Sequence, residues 1–397
     1  MKISHLLLGL IALLSFGSCS NQETTNNLNE VYPINLHESI NPPESAEEWI
    51  EEMEFVPLET NADCYLASRM KYDISESHIV VSSNNAVHIF TRMGKHLNSF
   101  KKEGKGPGEY VGIRDIRFMP KTDEVMVSDP NGRKIIIYDF EGNTTAFIPV
   151  KFMMLDVAPV DTDLFAILLG RINRSHVEDT TQHEMVFINR EGEKVSLHKP
   201  FKYTFPRGVT SVDFTGPDKP GQFYINIAYT TNIYEVGPGD HFELKYRFDY
   251  LDQGIDTTLL NDKRFMQSPK ADYNLKGFTD LDHIAVNQNS IMFWAPNVDK
   301  EEMGFRLINR KSGNQRSVFL DTTFSLGNYY GIPIGFARTS YKDCFIEKAE
   351  AIDILESLEE MTDEQKSTLS KSKGFDRLAG LKEDDNPVLV FYRAKDF

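Results

Sequence analysis

Apolar and polar side chains alternate along the segment from Glu124 to Val150. Glu124 to Ser128 has the two-residue period of a half-buried strand, and Lys134 to Tyr138 is a second, more apolar strand. The Asp129-Pro130-Asn131-Gly132 sequence between them is a strong turn signal. We therefore predict a four-stranded antiparallel sheet here, completed by Ile113 to Phe118 and Thr144 to Val150.

The same order of strands and turns recurs before and after this segment. A glycine marks a turn in each unit, at Gly94, Gly142, Gly192, Gly239 and Gly313. These glycines are spaced by roughly 40 to 75 residues, and four-stranded propeller blades run to about 40–50 residues before insertions. Because one such sheet cannot bury both faces alone, radial stacking is expected. The pattern predicts an all-β propeller of six blades, with five and seven as the alternatives.

The C-terminal part of the chain predicts how the ring closes. Ile332 to Phe336 and Cys344 to Lys348 resemble the first two strands of a last blade, and Pro387 to Arg393 reads as its terminal strand. Between them, Ala351 to Lys373 predicts a short helical insertion, with Thr362 and Gln365 as a capping box. One strand is then missing. Trp49 to Leu58 can supply it, so that an N-terminal strand completes the last blade and removes open edges.

The first residues have the features of an export signal. Lys2 precedes an apolar stretch from Leu6 to Leu14, and Phe16-Gly17-Ser18 leads into Cys19. This junction resembles the bacterial lipoprotein processing site, with Phe16 where leucine is usual. It implies a signal peptide over residues 1–18 and lipid attachment at Cys19. The alternatives are simple secretion with cleavage nearby and a retained N-terminal anchor. Residues 19–45 are expected to form a flexible tether, and residues 46–397 a single propeller domain.

The net charge of the chain limits which kinds of partner it is expected to bind. The chain has 43 Lys and Arg against 59 Asp and Glu, a formal net charge of −16. Such a chain repels phosphate backbones, which argues against nucleic acid as a partner. Its aromatic content of 11% agrees with a strand-rich fold.

The run Lys102-Glu103-Gly104-Lys105-Gly106-Pro107-Gly108-Glu109-Tyr110 carries a family resemblance. With Ile113 and Asp115-Ile116 after it, this run resembles the signature loop of the six-bladed β-propeller lipoproteins of Bacteroidetes. The sequence from Ser128 to Gly142 is similar to an NHL-type blade repeat. The resemblance covers nearly all of the mature chain and implies a propeller in the bacterial envelope, most often the outer membrane. It implies no particular activity.

Two sets of residues are candidate sites. The first is the loop of Lys102, Gly104, Lys105, Gly106, Gly108, Glu109 and Tyr110. These residues are expected either to face a ligand at the mouth of the central channel or to form a blade-to-blade crossover whose glycines permit positive φ. The second is Cys64 and Cys344, which a closed ring brings together. They are expected either to form a disulfide or to remain two buried free thiols.

The sequence favours binding over catalysis. None of the 10 histidines has His-Glu-x-x-His spacing, and there is no nucleophile elbow. No cofactor or metal ligand set is predicted. The function expected is recognition of a peptide, a glycan or an envelope protein by a propeller held at the membrane through its N-terminal lipid. One alternative is a propeller hydrolase, lactonase or lyase with a divalent cation in the channel, and another is a structural subunit of an outer-membrane complex.

Overall fold

Strands dominate the structure, a computed structural model that describes residues 30–34, 46–169, 183–200, 213–227, 230–249, 284–294, 304–319, 328–337 and 339–397. The export signal and Cys19 lie outside these residues. Six antiparallel sheets are arranged as the blades of a propeller, which confirms the predicted fold and blade number.

The strands follow the blades in chain order. The chain begins with β1 (Glu30–Pro33) and β2 (Ile50–Pro57). Blade 1 contains β3 (Met70–Ile74), β4 (His78–Ser83), β5 (Ala86–Thr91) and β6 (His96–Phe100). Blade 2 contains β7 (Asp115–Phe118), β8 (Glu124–Asp129), β9 (Lys134–Asp139) and β10 (Thr144–Pro149). Blade 3 contains β11 (Met154–Pro159), β12 (Leu164–Leu169), β13 (His183–Asn189) and β14 (Lys194–Pro200).

The second half of the ring has the same organisation. Blade 4 contains β15 (Thr215–Lys219), β16 (Gln222–Asn226), β17 (Asn232–Gly237) and β18 (His241–Asp249). Blade 5 contains β19 (Ile284–Val286), β20 (Ser290–Trp294), β21 (Gly304–Asn309) and β22 (Gln315–Phe319). A hairpin of β23 (Asn328–Tyr329) and β24 (Ile332–Pro333) follows. Blade 6 contains β25 (Thr339–Tyr341), β26 (Cys344–Ala349) and β27 (Val388–Ala394), with β2 as its outer strand.

The helical insertion lies between the second and third strands of blade 6. It consists of α1 (Ala351–Glu360), α2 (Asp363–Leu369) and a 3-10 turn (Phe375–Gly380). Thr362 and Gln365 form the predicted capping box at the start of α2. Among the described residues, no helix has the length and apolar character needed to cross a membrane.

Each blade buries both faces against its two neighbours. In β8, Met126 packs into the cluster shared with blade 3, whereas the next residue, Val127, packs into the cluster shared with blade 1. Six such clusters lie between successive blades around the ring. The two-residue side-chain period of a strand is therefore used on both faces, which explains why these strands are more apolar than a half-exposed sheet would need.

The N-terminal strand closes the ring as predicted. Strand β2 pairs antiparallel with β27, from Ile50 opposite Ala394 to Pro57 opposite Val388. The end of β2 also packs against the β5–β6 turn of blade 1. There Gly94 has φ +84°, and a Cβ atom on it would lie 2.0 Å from the carbonyl oxygen of Pro57. Glycine is thus required at the seam between blades 6 and 1.

Two predicted segments differ from the structure. Ile332 to Phe336 does not form the first strand of the last blade, because β24 pairs with β23 and β25 takes that place. Glu30 to Pro33 was expected to belong to the tether but forms β1, which pairs parallel with β18 and adds a fifth strand to blade 4. Both segments are short, and neither has a clear alternating pattern.

Candidate functional site

Charged side chains gather where the first strands of the blades meet at the propeller axis. Strands β3, β7 and β11 are the first strands of blades 1, 2 and 3, and β7 contacts both of the others. They carry five charged residues, namely Lys71, Asp73, Asp115, Arg117 and Asp156. Because these strands are the innermost of their blades, ionisable groups from successive blades lie next to one another.

Arg117 is the centre of this cluster and is buried. Its guanidinium lies 2.8 Å from Oδ2 of Asp115 in blade 2 and 3.2 Å from Oδ2 of Asp156 in blade 3. It also donates to the carbonyl oxygens of Val157, at 3.1 Å, and Phe214, at 3.2 Å. One side chain thus joins blades 2 and 3 to the segment that leads into blade 4. Charge-assisted bonds of this kind fix geometry strongly when the partners are buried.

Two carboxyl groups near Arg117, those of Asp73 and Asp156, have raised pKa values. Burial, with a contribution from Asp115, raises the pKa of Asp156 to about 8. Burial raises the pKa of Asp73 to about 6, against the opposing effect of Arg117. Backbone groups hold both in place, because Asp156 Oδ2 accepts from Phe214 N at 2.7 Å and Asp73 Oδ2 accepts from Phe118 N at 2.8 Å. The buried part of the axis is a rigid ion network.

A second, more exposed layer lies at the end of the axis where the first strands begin. Lys71 Nζ lies 3.1 Å from Asp213 Oδ2, and Arg114 Nη2 lies 3.6 Å from Asp213 Oδ1. These three side chains are 40 to 44% exposed and come from blade 1, the start of blade 2 and the start of blade 4. We call them the axis mouth. Two cations here share the carboxylate of Asp213, and Asp115 and Asp156 of the buried layer also interact with Lys71.

The glycine-rich loop forms the crossover from β6 of blade 1 to β7 of blade 2. Tyr110 is buried, and its hydroxyl donates to the carbonyl of Asn85 at 2.8 Å and accepts from the backbone N–H of Lys102 at 3.0 Å. Glu109 Oε2 accepts from Gly106 N at 2.9 Å. These bonds fold the loop onto itself and onto blade 1.

Gly104, Gly106 and Gly108 do not have positive φ in the described structure, although the crossover interpretation permits it. A Cβ atom on Gly104 would lie 1.9 Å from Glu109 Oε2, and one on Gly108 would lie 2.5 Å from Thr144 Oγ1. Tyr110 is a buried packing residue, Gly104, Gly106 and Gly108 are half-buried, and Lys102, Lys105 and Glu109 are exposed.

Comparison with known proteins agrees with the propeller fold. A family model described as a domain of unknown function, DUF4934, matches residues 31–393. The chain belongs to this family. Among solved structures, it is similar to a protein of Bacteroides fragilis described as exported, with 13% identity, a TM-score of 0.66, and coverage of 92% of this chain and 100% of that one. It is also similar to a DUF4221 member from Bacteroides vulgatus, with 11% identity, a TM-score of 0.50, and coverage of 87% and 97%. None of the curated proteins matches the sequence.

The two cysteines of the DUF4934 domain both lie at the ring closure. Cys64 is buried in the cluster between blades 6 and 1, and Cys344 is half-buried against the same cluster. No bridge joins them in the structure. The choice between a disulfide and two free thiols stays a prediction.

Sequence reasoning missed both the axis network and a group of side chains in this DUF4934 chain that are of the types able to ligate a metal ion. The axis residues lie on short polar strands without a recognisable motif. The second group consists of Cys64, His88 and His96, which are distant in sequence but adjacent in blade 1. Among the described residues, this is where three metal-ligating groups come together, and the carboxylates of the axis do not form such a group. The only sequence signal was the presence of two histidines on predicted strands after a cysteine.

Proposed function

We propose that this protein is a lipid-anchored envelope propeller that binds the carboxylate group of a peptide or glycan at the axis mouth. The export part of the proposal rests on the signal-like residues 1–18, on Cys19, and on similarity to a Bacteroides protein described as exported. The binding part rests on the geometry of Lys71, Arg114 and Asp213.

The observation that carries the binding proposal is the shared carboxylate of Asp213. Arg114 Nη2 lies 3.6 Å from Asp213 Oδ1, a long distance for an ion pair. The same side chain donates through Nε to the carbonyl of Leu155 at 3.3 Å. An incoming carboxylate can replace Asp213 on Arg114 and Lys71 at little cost, because all three side chains are already partly solvated. Lys71 and Arg114 are the groups of the mouth that would attract an anion.

The buried layer favours recognition over catalysis. A metal-dependent hydrolase would use axis carboxylates as free ligands, whereas Asp115 and Asp156 are engaged by Arg117, and Asp73 accepts from the backbone of Phe118. Such a network provides a rigid floor beneath the mouth. Rigid scaffolds with solvated residues at one end are typical of binding sites.

The binding test uses the full chain purified in detergent. Acidic peptides and acidic glycan fragments, each paired with a neutral amide analogue, are screened by fluorescence polarisation at low and at physiological salt. We expect at least one acidic ligand to bind, with affinity that falls on amidation and at higher salt. Lys71→Gln and Arg114→Gln should each weaken binding by about tenfold, the effect of roughly 1.4 kcal/mol.

Lys121→Gln is the matched control, because Lys121 forms an exposed ion pair with Asp161 away from the axis. It removes the same charge from the chain and should leave affinity unchanged. Binding that responds equally to all three substitutions, or a screen in which acidic and neutral ligands behave alike, would contradict the proposal.

The anchor has a separate test. The wild-type chain, expressed in a bacterial host with labelled fatty acid, should incorporate label and sediment with membranes. Cys19→Ala should lose the label and leave the membrane fraction, since a single residue carries the acyl chains in this interpretation. Label retained in Cys19→Ala would show that anchoring occurs elsewhere.

A further inference from the structure

A thiol and two imidazoles converge in blade 1, away from the axis. Cys64 lies in the crossover between β2 and β3, His88 is on β5 and His96 is on β6. The Cys64 sulfur and one ring nitrogen from each histidine all lie within 4.8 Å of one another. Cys64 and His88 are buried and His96 is half-buried. We call these residues the Cys-His-His trio.

Hydrogen bonds already fix both rings. Ser99 Oγ lies between them, 2.7 Å from His88 Nδ1 and 2.7 Å from His96 Nε2. Asn61 Nδ2 lies 3.3 Å from His96 Nδ1, and a hydrogen bond to the backbone of Ser83 also holds His88. Hydrogen bonds from the second ring nitrogen orient metal-binding histidines in proteins, a role that Asn61 and Ser83 can fill. Ser99 would then become a ligand itself or give way to the metal ion.

Metal binding by the trio requires a change of protonation at Cys64. Zinc binds the thiolate, so a metal ion that binds there displaces the thiol proton, which leaves to solvent as the metal–sulfur bond forms. The imidazoles of His88 and His96 bind a metal in their neutral form.

We propose that Cys64, His88 and His96 bind one Zn²⁺ ion. One thiolate and two imidazoles form a ligand set that suits zinc and excludes calcium and magnesium, which prefer oxygen. Zinc bonds of about 2.0–2.3 Å place tetrahedral ligand atoms roughly 3.5 Å apart, so the three side chains close by about 1 Å. The Ser99 hydroxyl or a water molecule takes the fourth position.

The position of the trio gives the metal a structural role. The crossover that carries Cys64 is the covalent link between the closing strand β2 and blade 1. Asn386, just before β27, already holds it, accepting from Leu66 N at 2.8 Å and donating to the Glu59 and Cys64 carbonyls at 2.8 and 3.0 Å. A zinc ion would attach the same crossover to β5 and β6, and so join the closing segment to the first blade. This inference is independent of the proposed ligand at the axis mouth.

The test is metal titration of the full chain in detergent. We expect one zinc per chain by elemental analysis after dialysis, and a near-ultraviolet thiolate-to-cobalt charge-transfer band when Co²⁺ is added, abolished by Zn²⁺. Cys64→Ser should lose the band. Cys344→Ser and Cys19→Ser are matched controls that remove the other two cysteines of the chain and should retain it.

His88→Gln and His96→Gln should each lower cobalt affinity by more than about tenfold, since each removes one metal bond. Zinc should raise the Tm of the wild type and of Cys344→Ser but not that of Cys64→Ser. If Cys64→Ser fails to fold by circular dichroism, His96→Gln replaces it in both measurements, because His96 is only half-buried. A wild type without the band, or a band that survives both Cys64→Ser and His96→Gln, would overturn the proposal.

Discussion

Replacement of Arg117 by methionine removes the positive charge at the centre of the axis network and preserves most of the side-chain volume. Asp115 and Asp156 then lose their shared cation, and the carbonyls of Val157 and Phe214 lose a donor. Removing one partner of a buried ion pair typically costs about 3–5 kcal/mol. We expect Arg117→Met to lose about 4 kcal/mol of unfolding free energy at neutral pH.

Urea-induced unfolding followed by circular dichroism measures this loss. With a urea dependence of about 1–3 kcal/mol per molar, the midpoint should fall by at least about 1 M. Lys121→Gln is the control, because its exposed pair with Asp161 should contribute less than about 1 kcal/mol. An Arg117→Met midpoint equal to that of Lys121→Gln would refute the assignment of Arg117 as the element that joins the blades.

The pH dependence of this loss gives a second criterion. The pKa of Asp73 is raised to about 6 against the opposing effect of Arg117, so loss of the cation raises it further. A carboxyl whose folded-state pKa lies above its unfolded value lowers stability as pH rises between those two values, and this loss levels off above the folded-state pKa. The difference between Arg117→Met and wild type should therefore shrink from pH 8 toward pH 5. A difference that is constant over this range would exclude the electrostatic explanation.

Three further predictions concern other parts of the ring. Burial raises the pKa of Glu347 to about 8, so wild-type stability should fall as pH rises from about 5 to 8. Glu347→Gln should flatten this pH dependence in urea titrations, and an unchanged slope would contradict the prediction. Gly94→Ala should lower the Tm more than Gly239→Ala. Both positions have positive φ, but a Cβ atom on Gly94 would lie 2.0 Å from a carbonyl oxygen, whereas one on Gly239 would have nothing within 4 Å. Equal losses of Tm would contradict the argument that this contact requires glycine. Non-reducing peptide mapping should find Cys64 and Cys344 unbridged, and a linked peptide would overturn this.

The local sequence pattern of alternating residues and turn glycines was enough to predict the outer strands of each blade. The alternation from Glu124 to Ser128 corresponds to β8, and Gly94 and Gly142 both mark turns with φ +84°. The capping box at Thr362 likewise starts α2 as predicted. These features depend on residues a few positions apart, so the sequence alone is enough to identify them.

Ring closure was predictable for a different reason. The last blade lacked one strand and the chain offered one spare strand near Phe55, so counting placed β2 beside β27 before any contact was known. The innermost strands were harder to identify. Strand β3 reads Met-Lys-Tyr-Asp-Ile, and its charged residues conceal the strand pattern because they face other charges across the axis and not an apolar core.

By itself, then, the sequence determined the all-β class, the approximate blade boundaries and the closing strand, because alternation, turn residues and strand count are local or additive properties. Only the tertiary structure decided which side chains meet. Asp73, Arg117 and Asp156 come from three blades, and Cys64, His88 and His96 from a crossover and two strands. Their proximity depends on the register and twist of each sheet, and a one-residue shift in register would turn every one of these side chains to the opposite face.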